Sequence, residues 1–311
     1  MIAVIGLGTI GCNLAEWIEK NALEVRSFDA KNTAGQHLKG RSESLNETVK
    51  HADIVFECVP ESLPIKQQVL AAIEDACPAS AILASTTSAL LPSALGRMLR
   101  RPERLVIAHV WNPPDLVPLV ELVPHPAMAP ETVRSMREFL ETIHKIVVVL
   151  ENEIAGFVGN RLQWALLKES ISLVDSGIAT FHEVDEIVKR GLGARLASLG
   201  PFTVADLGGL DVFLSLSKSI ERNEDAALSS PQRFLASLVE HGDLGAKTGK
   251  GFYEWSEEKV KLATEQRDIL LRHLAQTSDQ ASDRQALANP VQAAPHSRCP
   301  EGTKPDEKRI L

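Results

Sequence analysis

The stretch IAVIGLGTIG, Ile2 to Gly11, decides the fold of the first half of the chain. Its β-branched start predicts a buried strand, and apolar residues then recur at helical spacing, so a strand, a glycine turn and a helix follow in order. In that setting Gly6 permits the tight turn, Gly8 lets the backbone approach a pyrophosphate, and Gly11 lets the helix pack closely on the strand. The free N–H groups at the start of the helix would then bind the phosphates.

The acidic residue Asp29 strengthens this interpretation. It ends the second apolar run, Glu24 to Phe28, at the position where an acid binds the ribose hydroxyls of a dinucleotide. An aspartate there repels a 2′-phosphate, so the predicted cofactor is NAD rather than NADP. The alternative is any α/β protein with a glycine-rich first turn, but strand, spacing and acid together favour a dinucleotide.

Further apolar runs predict a doubly wound sheet. The runs Asp53 to Val59, Ala81 to Ala84 and Lys145 to Leu150 are nearly continuous, as parallel strands buried on both faces should be. The fold class is therefore α/β, with a Rossmann-type doubly wound sheet. The hydroxyl-rich segment Ser85 to Ser88 follows one strand at the sheet edge where ligands bind, although such residues also serve as simple helix caps.

The segment LVIAHVWNPPDLVPLVELV, Leu105 to Val123, carries the chemistry. His109 and Glu121 lie in two short apolar runs that predict buried strands, and Asn112-Pro113-Pro114 between them predicts a turn. That turn would bring Glu121 against His109, and a carboxylate beside an imidazole fixes its tautomer and yields a general base. The alternative is a partly buried histidine and a surface-facing glutamate in ordinary strands.

From Gly156 onwards the pattern changes to long helices. The helix predicted over 156–176 is apolar on two faces, so we expect burial on both, between domains or in a subunit interface. Asn160 lies on one of these faces, and its amide needs a partner, either a protein group or a substrate. Thr180 and Glu183 form a capping-box pattern that opens the next helix.

Composition excludes several classes of protein. The chain has 311 residues, 44% of them apolar, and a net charge of −8 without a long basic run, so nucleic acid and membrane surfaces are not expected partners. Its four cysteines are scattered and show no metal-ligand spacing, which predicts no metal site and reduced thiols in a cytoplasmic protein. Neither a leader segment nor a membrane-spanning run is expected.

Three segments are therefore predicted. Residues 1–151 form a Rossmann NAD-binding domain, and residues 152–265 form an all-helical domain. Residues 266–311 form a largely mobile C-terminal tail, because prolines accumulate there and helical periodicity fades.

From Met1 to about Trp255 the chain resembles the L-3-hydroxyacyl-CoA dehydrogenases and their relatives that act on free 3-hydroxy acids. The motifs that carry the resemblance occur in order: GLGTIG, Asp29, ECVPESLPIK, STTSAL, AHVWNPPDLVPLVELV, AGFVGNRL, GPFTVADLGGLD and KTGKGFYEW. The segment HVWNPP followed by PLVELVPHP is most similar to the branch of lambda-crystallin, L-gulonate dehydrogenase and carnitine dehydrogenase.

The resemblance implies roles for individual residues. The catalytic residues would be His109, Glu121, Asn160 and Ser88. The cofactor contacts would be Gly6, Gly8, Thr9, Ile10, Gly11, Asp29, Glu61, Lys66, Asn112 and Lys247. It also implies a homodimer, a small 3-hydroxyacyl or 3-hydroxy-acid substrate, and a place in fatty acid metabolism.

The substrate stays open at this stage. Acyl-CoA members carry a long helical extension after the second strand, and only 24 positions separate Asp29 from Asp53, which favours a smaller or free-carboxylate substrate. A relative acting on another alcohol or an aldehyde, and a non-catalytic NAD-binding protein, are the alternatives. The 6-phosphogluconate-type dehydrogenases share the opening motif and would use a lysine such as Lys168, but they lack the His-Asn-Pro segment.

Overall fold

The computed structural model describes residues 1–31, 34–221 and 230–285, with the side chains of residue 230 and of 275–285 excepted. The chain divides into two compact units, Met1–Leu166 and Leu167–Leu311. This division falls inside a helix, beyond the domain boundary at residue 151 that the sequence predicts.

The first unit contains one seven-stranded sheet. Its strands are β1 (Ile2–Ile5), β2 (Val25–Phe28), β3 (Ile54–Glu57), β4 (Ile82–Ser85), β5 (Leu105–Val110), β6 (Leu119–Pro124) and β7 (Ile146–Val149). Their order across the sheet is β2-β1-β3-β4-β5-β6-β7. All neighbouring pairs are parallel except β5 and β6, which are antiparallel. The predicted doubly wound sheet is confirmed.

Helices connect these strands and cover both faces of the sheet. They are α1 (Thr9–Lys20), α2 (Leu45–Val49), α3 (Leu63–Ala76), α4 (Pro92–Leu95) and α5 (Pro130–Thr142), with 3₁₀ turns at Gly96–Met98 and Pro102–Arg104. Successive residues of a strand point to opposite faces, so Ile2 and Val4 enter one core with α1 while Ala3 and Ile5 enter the other with α3. Burial on both faces explains the continuous apolar runs of β1 and β3.

The connection between β2 and β3 is compact, as predicted. In its described part the longest helix is the five-residue α2. Gly40 packs directly on β2, because a Cβ atom built there would lie 1.9 Å from the carbonyl oxygen of Val25. A long helical extension therefore does not occur in the part of this connection that the structure describes, which leaves out residues 32 and 33.

The second unit is helical, as expected. Its helices are α6 (Gly159–Asp175, which begins in the first unit), α7 (Phe181–Ile187), α8 (Gly193–Leu196), α9 (Pro201–Gly208), α10 (Leu210–Ile220), α11 (Ser230–Glu240) and α12 (Glu257–Gln285), with a π turn at Val188–Leu192 and a 3₁₀ turn at Ala246–Thr248. The predicted capping box of α7 is present, since Thr180 and Glu183 bond each other's backbone N–H groups. Across the described ranges, no helix combines the length and apolarity needed to cross a membrane.

Helix α6 is not buried on both faces within the single chain, so burial in a subunit interface, one of the two expected places, stays a prediction. Val174 is buried, but Leu162 and Trp164 are each 60% exposed, and Leu167 and Ile171 are also largely exposed. The apolar pattern of a helix face predicts that the face is buried but does not identify the surface that buries it. In a single copy of this chain these side chains are exposed to solvent.

The C-terminal prediction was wrong in part. Helix α12 runs from Glu257 to Gln285, so residues 266–285, assigned to a tail, are helical. This segment is rich in Gln, Leu and Arg, and such strong helix formers sustain a helix even where the apolar stripe is weak. The remainder of the predicted tail, 286–311, lies outside the described residues.

Candidate active site

The antiparallel pairing of β5 with β6 puts His109 directly opposite Glu121. The His109 Nδ1 atom is 2.9 Å from Glu121 Oε2, and the two residues are only 5% and 3% exposed. The contact predicted from the two strands and the intervening Asn-Pro-Pro turn is therefore present. Because Nδ1 is held by the carboxylate, Nε2 is the imidazole nitrogen left for other chemistry.

Glu121 is also held by the start of α6. Its Oε1 accepts hydrogen bonds from the backbone N–H groups of Val158 and Gly159, at 2.9 and 3.0 Å. Burial raises the pKa of Glu121, but the hydrogen bonds from His109, Gly159 and Val158 outweigh it and hold this pKa below its usual range. Glu121 is therefore an anion near neutral pH, poised to stabilise a protonated His109.

Aromatic rings enclose the imidazole. The Trp111 ring lies 5.7 Å from the His109 ring between centroids, and the buried Phe157 ring lies 5.3 Å away. Trp111 fits because residue 159 is glycine: a Cβ atom built there would lie 2.2 Å from Trp111 Cζ2. Trp111 and Phe157 were not among the predicted site residues, although their positions within the HVWNPP and AGFVGN motifs were a usable signal.

Asn160 and Ser88 come together beside this pair. The Asn160 side chain donates from Nδ2 to the Ser88 carbonyl oxygen at 2.8 Å, which supplies the partner that its amide was expected to need. The Ser88 residue is exposed, and its backbone N–H donates to Glu61 Oε1 at 3.1 Å. Since Asn160 follows Gly159 at the start of α6, all four predicted catalytic residues are brought into one region.

The glycine turn fits a dinucleotide. Gly6 has a φ of +94°, and a Cβ atom there would lie 2.7 Å from the Cys58 backbone; one on Gly11 would lie 1.8 Å from the Gly6 carbonyl oxygen. A Cβ atom on Gly8, by contrast, would meet no atom within 4 Å, so the described residues leave open space above this turn. No side chain caps α1 and its first turn holds no acid, which leaves its N–H groups for a phosphate.

Thr9 and Ile10 form the first turn of α1, as predicted, and Asp29 closes the loop beneath them. The Asp29 carboxylate accepts hydrogen bonds from the backbone N–H groups of Leu7 at 2.6 Å and Lys31 at 2.7 Å. Asp29 thus fixes the glycine turn, and its contact with the ribose hydroxyls stays a prediction. The first role was not foreseen, because it depends on the parallel pairing of β1 with β2.

Lys66 differs from the expectation of an accessible cofactor contact. It is 1% exposed, and its ammonium group contacts the Glu57 carboxylate at 2.9 Å, the Val59 carbonyl oxygen at 3.0 Å and Glu61 at 3.6 Å. Burial raises the pKa of Glu57, which Lys66 and the Ser85 hydroxyl lower in part. An acid inside the otherwise apolar β3 was the available signal for this buried ion pair. Contact of Lys66 with the cofactor stays a prediction.

Asn112 is exposed in the loop between β5 and β6, and Lys145 holds that loop. The Lys145 ammonium group donates to the carbonyl oxygens of Pro114 and Val117, and burial lowers its pKa. Lys247 lies in the second unit, exposed and paired with Asp211. The cofactor roles of Asn112, Glu61 and Lys247 also stay predictions.

Comparison with known proteins identifies the family. Residues 40–154 match the model of the 3-hydroxyacyl-CoA dehydrogenase NAD binding domain, and residues 156–255 match the model of the C-terminal domain of the same family. The chain is 36% identical to an L-carnitine dehydrogenase of Oceanobacillus iheyensis over 232 residues, covering 67% of this chain and 76% of that protein.

Two further proteins are similar to this chain over most of their length. The chain is 29% identical to 5-formyl-3-hydroxy-2-methylpyridine 4-carboxylate 5-dehydrogenase of Mesorhizobium japonicum, over 84% of this chain and 92% of that protein. The crystal structure of a 3-hydroxyacyl-CoA dehydrogenase from Archaeoglobus fulgidus superposes with a TM-score of 0.75 at 29% identity, covering 88% of this chain and 98% of that chain. This chain therefore belongs to the 3-hydroxyacyl-CoA dehydrogenase family and is an NAD-dependent dehydrogenase.

Proposed function

We propose that the protein oxidises the C3 hydroxyl group of a small L-3-hydroxy acid to the 3-oxo acid, with His109 as the general base. The observation that carries this proposal is the buried hydrogen bond of 2.9 Å between His109 Nδ1 and Glu121 Oε2. With Nδ1 protonated and held, Nε2 is free to take the hydroxyl proton, and the anionic Glu121 stabilises the imidazolium ion that forms.

Asn160 and Ser88 are proposed to hold the reacting oxygen. The Asn160 amide is oriented by the Ser88 carbonyl oxygen, and Ser88 itself is exposed beside it. Their polar groups would bind the C3 oxygen and stabilise the charge that develops there. Bound NAD supplies the hydride acceptor, on the glycine turn and the N–H groups of α1. Asp29 would bind the ribose hydroxyls.

A free acid is proposed rather than a CoA thioester. The support for this choice is the compact connection between β2 and β3, whose described part offers no helix longer than five residues for contacts to CoA. The relative from Oceanobacillus iheyensis is named for carnitine, which is a free 3-hydroxy acid. Other relatives are named for CoA thioesters, so the thioester is the first competitor to test.

Oxidation of an aldehyde is the second candidate. It is favoured by the relative from Mesorhizobium japonicum, whose name specifies a formyl group on a pyridine carboxylate and which matches 84% of this chain. The same histidine base would then take a proton from the hydroxyl group of the hydrated aldehyde.

A homodimer is also proposed. Its support is the exposed apolar surface of α6, including Leu162 and Trp164, which are each 60% exposed in a single chain. Sedimentation equilibrium of the full chain should give twice the mass of one chain. A monomer at micromolar concentration would contradict the proposal.

The experiment measures NADH formation by the wild type and by His109→Ala. The substrates are L-3-hydroxybutyrate, L-carnitine, L-gulonate, L-3-hydroxybutyryl-CoA and a formyl pyridine carboxylate. Turnover of a free acid that disappears in His109→Ala is the expected result. Turnover of the thioester alone, or of the aldehyde alone, would overturn the choice of substrate, and full activity of His109→Ala would overturn the mechanism.

A further inference from the structure

The indole N–H group of Trp111 is buried without a hydrogen-bond acceptor among the residues that the structure describes. Two other indoles differ: Trp17 donates to the Ile143 carbonyl oxygen and Trp255 to Asp206, both at 2.8 Å. An unpartnered buried donor destabilises a folded chain, so a donor of this kind next to a catalytic base indicates a partner supplied by a ligand.

The position of Trp111 fits that interpretation. It follows His109 by two residues and stands directly after Val110, the last residue of β5. The two rings are 5.7 Å apart and tilted by 49°. Trp111 also packs closely against Gly159, which precedes Asn160. The indole thus adjoins both the base and the start of the helix that carries the proposed substrate amide.

His109 is itself only 5% exposed. A substrate that contacts the imidazole must therefore open the surroundings of His109, which include the indole N–H group of Trp111. In a 3-hydroxy acid the C1 oxygens stand two carbons from the hydroxyl-bearing C3. A substrate whose C3 hydroxyl group contacts His109 therefore brings a C1 oxygen to the groups that adjoin His109, and the Trp111 indole N–H is one of them.

We propose that Trp111 is a specificity residue whose indole N–H group donates a hydrogen bond to a C1 oxygen of the substrate. This inference rests on the proposed function for the identity of the reacting hydroxyl group. The C1 oxygen belongs to a carboxylate in a free acid and to a carbonyl group in a thioester. A carboxylate accepts the stronger hydrogen bond, so Trp111 favours the free acid.

The test compares the wild type, Trp111→Phe and the control Trp17→Phe. Both substitutions remove an indole N–H group and the same ring volume, but only Trp17 has a hydrogen-bonded partner in the protein. For each variant we measure KM and kcat with L-3-hydroxybutyrate and its CoA thioester, the Kd of NADH, and the thermal midpoint without ligand.

Trp111→Phe should raise KM for the free acid by about tenfold or more, because a hydrogen bond to a carboxylate is lost. The increase should be smaller for the thioester, and the Kd of NADH should stay within about twofold. Trp17→Phe should leave the KM for the acid unchanged. The thermal midpoint should fall less in Trp111→Phe than in Trp17→Phe, since no protein hydrogen bond is broken.

An unchanged KM in Trp111→Phe would overturn the inference while leaving the proposed function intact. A loss of thermal stability equal to that of Trp17→Phe would also overturn it, because the N–H group would then have a partner within the protein. Failure of the wild type to oxidise either form of the substrate would instead overturn the proposed function.

Discussion

Replacing Glu121 with glutamine should abolish most activity by reversing the tautomer of His109. Two backbone N–H groups, from Val158 and Gly159, already bond Glu121 Oε1, so the carbonyl oxygen of a glutamine would stay on that side. Its NH₂ group would then face His109 Nδ1 in place of Glu121 Oε2, which is 2.9 Å from it in the native chain. Since an NH₂ group donates, Nδ1 would have to accept and the proton would move to Nε2, where a base is required.

The expected loss follows from comparable histidine and carboxylate pairs. A wrong tautomer lowers kcat by about 10⁴-fold, equivalent to about 5 kcal/mol of activation free energy. Binding of NADH should change little, because Glu121 lies on β6 and not on the glycine turn. The assay is steady-state NADH formation with the best substrate of the wild type, together with NADH titration by fluorescence.

The matched control is Glu138→Gln, an exposed glutamate of α5, which should keep wild-type activity. A kcat for Glu121→Gln within about tenfold of the wild type would refute the tautomer argument. Loss of NADH binding in the same variant would contradict the expectation that Glu121 does not contribute to the cofactor site.

Three further predictions concern the same unit. Gly8→Ala should keep the thermal midpoint, because its Cβ atom meets nothing within 4 Å, but it should weaken NADH binding by about tenfold or more. Gly6→Ala should instead destabilise the fold by about 2 kcal/mol or more. If the two variants had equal effects on the thermal midpoint and on the Kd of NADH, the prediction would be wrong. Glu57→Gln should cost about 3 kcal/mol in denaturant unfolding, because the buried Lys66 ammonium group loses its nearest counter-charge and keeps only the more distant Glu61 carboxylate. The double variant with Lys66→Met should recover part of that loss, and additive losses would argue against the pair. Although burial raises the pKa of Glu121, hydrogen bonds hold it below the ordinary 4.5. Its stabilising contribution is therefore present above pH 4.5 and is lost as pH falls through the folded pKa. The free energies of unfolding of the wild type and of Glu121→Gln should converge in that range, and a difference between them that does not change with pH would exclude the linkage.

Local patterns in the sequence were sufficient for much of this site. The glycine turn, Asp29 and the pairing of His109 with Glu121 were predictable because each depends on a short segment with turn residues or period-two burial. The second support of Glu121 was not, since the N–H groups of Val158 and Gly159 come from 37 and 38 positions further along the chain. Burial of Lys66 was missed for a similar reason: its partner Glu57 lies on a neighbouring strand rather than on its own helix.

The sequence by itself determined the α/β class, the NAD cofactor and the contact between His109 and Glu121, because backbone chemistry and strand periodicity act over a few residues. Only the tertiary structure decided which contacts complete the site. The packing of Trp111 on Gly159 depends on two segments meeting at a distance that no local pattern encodes. The exposure of α6 likewise depends on which other segments pack on the helix, and its own apolar pattern does not determine it.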